Sequence, residues 1–482
     1  MQPYDKYEAV IGLEVHIQLA TKSKAFCSDD ASFGGDPNTH ISAISLAHPG
    51  TLPKLNKKQL EFAVRLGLAL NSSINKTNYF DRKNYFYADL PKGYQITQDS
   101  QPICIGGSFK LNVAGQKKTI RIHHIHMEED AGKSIHDKDP DYSLIDLNRA
   151  GVPLLEVVTE PDFRSAAEVD TFMTSMRQLV RYLEISDGNM EQGSMRCDCN
   201  ISIRLKGEKV LNERCEVKNV NSMRFARQAI QYEFKRQVEL VEAGKKVSQQ
   251  TLNFDPSTGT TSPLRKKEDA NDYRYFPEPD LLPLVLSDQD INKIRKSVSP
   301  LPWEIHEQLI QKYNLTAYDA KLIAEEKPIA LFYKKLADEC GKFKSAANLV
   351  INKIKPFLAE QKISIEAFPI NIQSLATFIN LIESGKVSNS TAYQRLFPAL
   401  IKEPKKSPES LAESLNLAQS TDNDFLETLV SETIQKHPDK VLAYQKGKKG
   451  LIGFFMGEVM RRSKGKAEPK TTNDLLRKML DT

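Results

Sequence analysis

Strict alternation of apolar and polar residues in several stretches is the tightest constraint on what this chain can fold into. In GLEVHIQL, Leu13, Val15, Ile17 and Leu19 fall on one side of an extended backbone, and Glu14, His16 and Gln18 on the other. In TIRIHHIHMEE, His124, His126 and Glu128 share a face while Met127 and Glu129 take the opposite one. SMRCDCNISIRL puts Arg196, Asp198, Asn200 and Ser202 together, with the thiols of Cys197 and Cys199 behind them. ERCEVKNVNS adds Glu216 beside Lys218. A surface sheet with no chemistry produces one such face; its recurrence over several strands is what points to a site.

Helices interrupt these strands. SAAEVDTFMTSMRQLVRYL opens with Ser165 and carries Glu168 at capping-box spacing. A second helix is predicted from Met223 to Glu242, closing at Gly244. Antiparallel and mixed strands with segregated helices indicate an α+β cradle domain over residues 1–290. After SDQDINKIRKSVSPLP the strand signals stop, and long helical patterns such as AYDAKLIAEEKPIALFYKKLADE predict an all-α domain over 291–404. The seam KEPKKSPES, rich in proline and charge, introduces a small all-α tail, 405–482.

Composition removes several classes of function. No apolar run approaches the ~20 residues that span a bilayer, and MQPYDKYEAV lacks the basic-then-apolar order of an export signal. Six cysteines in 482 residues do not make a disulfide framework. A cytoplasmic protein is expected, without membrane or DNA partners. The net charge of +5 is unevenly spread: Lys436–Lys478 holds 12 Lys/Arg and 4 Asp/Glu, so this window is +8 and the remainder about −3. Such a patch attracts a polyanion such as RNA, although a solvated helical surface has the same composition.

The polar faces carry the chemistry. Same-face neighbours on a strand lie about 6.6 Å apart, so Glu14, His16, Glu128, Asp198 and Glu216 can meet around one cation if their strands share a sheet. Carboxylates with one imidazole suit Mg²⁺ or Mn²⁺ better than a thiol-preferring metal, and Mg²⁺ implies a phosphate-bearing substrate. The GKS at 132–134 is not a P-loop, because Met127 stands where the first glycine belongs and Glu128, Glu129 and Asp130 would repel a polyphosphate. Cys197 and Cys199 have no second pair nearby and read as core thiols rather than zinc ligands. DRKNYFYADLPKGYQ and DYRYFPEPDLLP interleave Arg82, Lys83 and Lys92 with aromatics; either a half-buried strand or a surface that stacks an RNA base has this pattern. DLNRAGVPLLE sets Arg149 beside a rigid turn, as an anion contact.

Taken in order, VIGLEVHIQL, DRKNYFYADLPKGYQI, MEEDAGK, LNRAGVPLLE, SDGNMEQGSMRCDCNISIR, EVKNVNSMRF and DYRYFPEPDL resemble the B-subunit family of the aspartyl/glutamyl-tRNA amidotransferases (GatCAB). LIGFFMGEVMRRSKGKAEPKTTNDLLRKML is similar to the YqeY-like tail of that family. The resemblance implies ATP-dependent amidation of the amino acid on Glu-tRNA(Gln), Asp-tRNA(Asn) or both. It implies a carboxylate activated by phosphoryl transfer and ammonia derived from glutamine by a partner. It also implies a heterotrimer with an amidase (A) subunit and a small C subunit, with ATP and Mg²⁺ as cofactors. Within it, His16, Glu128 and Asp198 are expected to hold the metal, with Glu14 and Glu216 as further ligands. Glu129 and Lys83 resemble residues at the mouth of the family's ammonia channel, where they handle the ammonium proton. Lys133, Arg149 and Lys218 are expected to contact phosphate.

One departure stands out. Many family members carry two cysteine pairs after the first strand, whereas FCSDDASFGGDPNTHISAISLAHPG holds only Cys27, with Ser28, Asp29, Ser42 and Ser45 around it. One thiol builds no Cys₄ site, so no structural zinc is expected and packing should hold the loop. Two other functions compete: another Mg²⁺-dependent phosphoryl-transfer or hydrolytic enzyme, and an RNA-binding adaptor that uses the basic tail. An adaptor has no reason to bring Glu128 and Asp198 together.

Overall fold

A computed structural model of the chain describes residues 3–135, 141–220, 222–264, 273–298, 300–417, 423–463 and 466–481. Met1, Gln2, Asn221, Asp272, Ser299, Lys464 and Gly465, which belong to stretches quoted above, lie outside the described residues. The fold is α+β and divides into two compact units, Met1–Pro302 and Trp303–Thr482.

The alternating stretches form the long strands of the first unit: β1 (Tyr7–Gln18), β2 (Gln116–Glu129), β3 (Pro153–Thr159), β4 (Met195–Leu205), β5 (Cys215–Val220), β6 (Gln250–Asp255) and β7 (Thr260–Pro263). They run β7-β6-β5-β4-β1-β3-β2 across one sheet, which short strands at Cys104–Ile105 and Ser73–Ile74 extend beyond β2. The pairs β4–β1, β1–β3 and β3–β2 are all antiparallel; β5 and β6 are parallel neighbours.

The apolar side chains of these strands are the core. Leu13, Val15, Ile17, Met127 and Ile201 are almost wholly buried, as are Cys197 and Cys199, which therefore pack as core thiols. Three helices belong to the same core: α1 (Lys57–Ala69), α2 (Ala166–Tyr182) and α3 (Met223–Glu242). Ser165 caps α2 by accepting from the Glu168 amide at 3.2 Å. The Glu168 carboxylate reaches one residue further than a capping box requires and accepts from Arg164 N–H at 2.7 Å. Gly244, at φ +73°, ends α3 where the sequence placed its stop. The polar side carries His126, Glu128 and Glu156, which are themselves buried.

The loop expected to be held by packing is held by hydrogen bonds, because most of it is exposed and has little apolar surface to bury. Asn38 Nδ2 donates to Ile145 O (2.8 Å) and its Oδ1 accepts from Leu147 N–H (2.8 Å). Asn148 Nδ2 donates to Asp36 O at 2.7 Å. Where a metal would gather thiols, Ser45 links Asp29 to Cys27, and the fully buried Lys24 places Nζ 3.5 Å from Ser45 Oγ.

Every named element among the described residues of the second unit is a helix. The helix Lys327–Cys340 carries Pro328 at its start and closes on Gly341 at φ +63°. KEPKKSPES links helix Phe397–Lys402 to helix Pro408–Ser414, and the latter packs on helix Ile372–Glu383. A separate core built on Leu426, Val430, Phe455, Val459, Leu476 and Leu480 joins the last helices.

Candidate metal and phosphate site

Strand register assembles the site. His16 of β1 stands opposite Arg196 of β4 and Glu156 of β3, and Glu156 stands opposite His126 of β2. One row thus runs Arg196–His16–Glu156–His126 over four strands, with directly opposed side chains about 5 Å apart. Glu128 lies on the same face, two residues along β2 from His126. His16 Nε2 is 3.2 Å from Glu156 and 3.7 Å from Glu128; His126 Nε2 is 3.2 Å from Glu156 and 3.5 Å from Glu128. Burial disfavours a charged imidazole, but Glu156 and Glu128 outweigh it and push His16 up to about 9 and His126 up to about 10. Burial would likewise raise the Glu156 carboxyl, yet the two imidazoles hold it well below the usual range. His124, half-buried and beside His126 and His123, is pushed down to about 4.

A second group adjoins the first. Glu14 faces Asp198 across β1 and β4, and Asn200 faces Glu216 across β4 and β5. One oxygen from each of Glu14, Asp198 and Glu216 lies within 4.8 Å of the others, and the same holds for ligand atoms of His16, Glu128 and Glu156. The five expected metal residues therefore form two neighbouring groups rather than one. Burial raises the Glu14 carboxyl, helped by the charges of Glu156, Glu216 and Asp198. Burial also raises Asp198. Lys218 ion-pairs with Glu216 at 3.0 Å and Asp198 at 3.7 Å. Although burial opposes its charge, those carboxylates push its pKa upward. Asn200 Nδ2 donates to Glu14 at 2.9 Å, and Thr251 Oγ1 to Glu216 at 3.0 Å.

His16, Glu128, Asp198 and Lys218 open onto one cavity of about 260 Å³, together with Lys83, Tyr85, Arg149 and Arg196. Asp130, 4 % exposed, sits beneath its cations. It takes a hydrogen bond from Arg196 (3.0 Å) and from Gln18 (2.6 Å), and lies 3.8 Å from Arg149. Arg149 also donates to Ala131 O at 2.9 Å, so it ties the following loop to the cavity wall.

Glu129 and Lys83 end on opposite sides of β2. Glu129 ion-pairs with Lys92 and accepts from Ile96 N–H at 3.0 Å, in a small chamber of about 20 Å³ that Lys24 and Cys27 also line. Lys83 faces Glu128, whose charge leads the pull that raises it against burial. Lys133 is exposed on a separate two-stranded sheet and does not line the cavity. Gly132 N–H is engaged with Asp89 O at 2.8 Å, and a Cβ there would come within 2.8 Å of the same oxygen; its glycine serves close loop packing, not a phosphate. The two aromatic–basic stretches meet: Asp81–Asn84 pairs with both Tyr94–Thr97 and Phe276–Pro277. Tyr85 lies 5.8 Å from Tyr87 and 6.1 Å from Tyr273, ring centre to ring centre, and Lys83 stands 5.0 Å over Tyr273. Tyr85 lines the cavity while Phe86 is 90 % exposed.

Sequence reasoning passed over Glu156, and it noted His126, Asp130, Arg196 and Lys92 without assigning them to the metal or the phosphate. The signal for Glu156 was present, since it is the lone acid in the buried run PLLEVVT, and a buried carboxylate needs partners.

A family model described as the GatB/GatE catalytic domain matches residues 9–292, and one described as a GatB domain matches 331–480. A protein of Thermodesulfovibrio yellowstonii is 44% identical over 475 residues, covering 98% of this chain and 99% of the relative. One of Persephonella marina is 43% identical, covering 98% and 100%. One of Rickettsia conorii is 44% identical, covering 99% and 98%. Each is named as the B-subunit of an aspartyl/glutamyl-tRNA(Asn/Gln) amidotransferase.

Proposed function

The chain belongs to the GatB/GatE family, and from that premise we propose that it is the carboxylate-activating subunit of a tRNA-dependent amidotransferase, a carbon–nitrogen ligase working in translation. The observation that carries this reading is the pair of ligand groups opening onto one cavity lined by cations. Its substrates are ATP and Glu-tRNA(Gln), Asp-tRNA(Asn) or both, its partners an amidase subunit and a small third subunit, and its place the cytoplasm. No helix among the described residues is long and apolar enough to cross a membrane.

The donor sets fit a divalent ion. Glu14, Asp198 and Glu216 are oxygen ligands that repel one another with a single ammonium, Lys218, paired among them, and hard cations such as Mg²⁺ prefer such sites. His16, Glu128 and Glu156 form the second set, in which His16 becomes a donor only on losing the proton that Glu156 and Glu128 hold on it. At these ligands Mg²⁺ would supply charge neutralisation on the phosphates of ATP.

The chain's own residues do the rest. Lys83, Arg196 and Arg149 offer fixed positive charge to the phosphoryl group as the side-chain carboxylate attacks it, giving an acyl phosphate and ADP. Ammonia then attacks the carbonyl carbon, phosphate leaves, and the nitrogen loses one proton. Glu129, paired to Lys92 on the far side of β2, is placed to take the proton of incoming ammonium. The aromatic rings from Phe86 to Tyr85 give the unpaired RNA end a surface to stack on. We assign residues 1–290 to catalysis, 291–404 to a helical domain, and 405–482 to a tail that contributes to tRNA binding.

The test is reconstitution with the two partner subunits, ATP, glutamine and each misacylated tRNA. Amidated product that depends on ATP is expected. A complex that binds tRNA but neither cleaves ATP nor forms amide would overturn the reading in favour of an adaptor.

A further inference from the structure

A cleft in the helical unit, remote in sequence from every residue of the metal and phosphate site, has the make-up of a ligand site. It holds about 360 Å³ and is lined by Asn348, Asn352, Lys353, Asn389 and Tyr393 over Ile379 and Ile382. That volume falls in the range of small-molecule and nucleotide pockets.

Two π-turns shape it, and prolines explain both. Lys355 N–H bonds five residues back to Val350 O, and Phe397 N–H to Ala392 O, each immediately before a proline, Pro356 and Pro398. A proline cannot donate to the carbonyl four residues back and its ring crowds that carbonyl, so widening the preceding turn relieves the clash. The widening re-aims side chains, which is why such turns are frequent at functional sites. Here the two turns are far apart in sequence, yet Lys353 from one and Tyr393 from the other line the same cleft, with Nζ 5.6 Å from the ring centre.

The remaining chemistry suits one kind of occupant. Among the described residues, the carboxamides of Asn348, Asn352 and Asn389 and the hydroxyl of Tyr393 have no hydrogen-bond partner in the protein, so they are available to a ligand. The one acid on the cleft, Glu383, is engaged by Ser345 Oγ at 2.6 Å. The two lining segments, 342–355 and 379–393, carry Lys342, Lys344, Lys353 and Lys386 against that single acid, with Lys353 on the cleft itself and a fifth lysine, Lys355, paired with Glu325 at 2.7 Å. Carboxamides that read base edges, an aromatic ring and surplus positive charge are the means by which proteins hold an unstacked RNA nucleotide. A peptide would need neither the excess charge nor the clustered amides.

We propose that this cleft binds one unstacked nucleotide of the tRNA substrate, at a point away from the acylated end. The inference rests on the proposed function for its RNA, and the experiment separates the two. In the assembled complex, tRNA affinity and the pattern of nucleotides protected from chemical probing are measured for the wild type, Asn352→Ala, Asn389→Ala and Tyr393→Phe. The asparagines are exposed, so their truncation leaves the fold intact. Expected are about tenfold weaker binding for Asn352→Ala, with kcat unchanged, and loss of protection at one nucleotide. Unchanged affinity and protection in all three variants would overturn the proposal, as would weakened subunit association with normal tRNA binding. Failure of the wild type to amidate any tRNA counts against the proposed function; it leaves the protection pattern to decide the cleft.

Discussion

The two ligand groups lie side by side on one face of one sheet, yet opposite means hold their charge. Around Glu128 and Glu156 stand two imidazoles, each within 3.7 Å of both carboxylates. Glu14, Asp198 and Glu216 are three acids sharing one ammonium, and burial with mutual repulsion raises Glu14 and Asp198. The first group is balanced by the protein itself. The second is balanced only when something else brings positive charge, which makes it the more demanding partner of a divalent ion.

The largest effect should fall on the first group all the same, because it is the one that enters the cavity through two of its members, His16 and Glu128. Glu128→Gln in the assembled complex should cut ATP-dependent carboxylate phosphorylation about a thousandfold, the scale of losing a fixed charge at the reacting centre. Glu216→Gln, which does not line that cavity, should cost only about tenfold and be partly restored by more Mg²⁺. Single-turnover phosphorylation measures both. A Glu216 variant more damaged than the Glu128 variant would reverse the roles given to the two groups.

Charge balance itself can be tested through Lys218. Without a metal, Lys218→Met leaves three carboxylates facing one another. Because the Lys218 side chain is 41% exposed, water screens much of this, and a loss of about 1 kcal/mol is expected, or about 2–4 °C in Tm. Added Mg²⁺ should recover it, since a dication replaces the missing charge. The comparison fails if chelator and Mg²⁺ leave the variant equally stable.

Period-two alternation made half of this site legible. It placed Glu14, His16, Glu128, Asp198 and Glu216 on polar faces, and it separated Glu129 from Glu128. Alternation says nothing about which strands are neighbours, and neighbours decide the grouping. Glu156 sits on β3, a central strand buried on both faces whose run PLLEVVT does not alternate, so only its being the lone acid of that run marked it. Standing between β1 and β2, it bridges His16 on one side and His126 on the other. The pairing of Lys92 with Glu129 escaped notice for a similar reason: the small sheet containing Tyr94–Thr97 meets the end of β2, with Gln95 donating to Glu129 O at 2.6 Å and Ile96 to its carboxylate. In the helical unit the sequence shows where Pro356 and Pro398 fall, but not that the turns before them share a cleft.

The finest distinction between the groups lies in one threonine each. Thr97 Oγ1 donates to Glu128 Oε2 at 3.3 Å, and Thr251 Oγ1 donates to Glu216 Oε2 at 3.0 Å. Replacement by valine keeps the shape and removes the donor. Glu128 Oε2 retains His126 at 3.5 Å and Oε1 retains His16 at 3.7 Å, so Thr97→Val should change apparent Mg²⁺ affinity less than about twofold. Lys218 holds Oε1 of Glu216, which leaves Oε2 to Thr251. Its loss strands a partly buried carboxylate oxygen and should cost about threefold. Titration of Mg²⁺ against ATP cleavage by the full complex reads both. Equal effects would mean that the imidazoles do not buffer the first group, and the difference in charge balance would lose its main physical support.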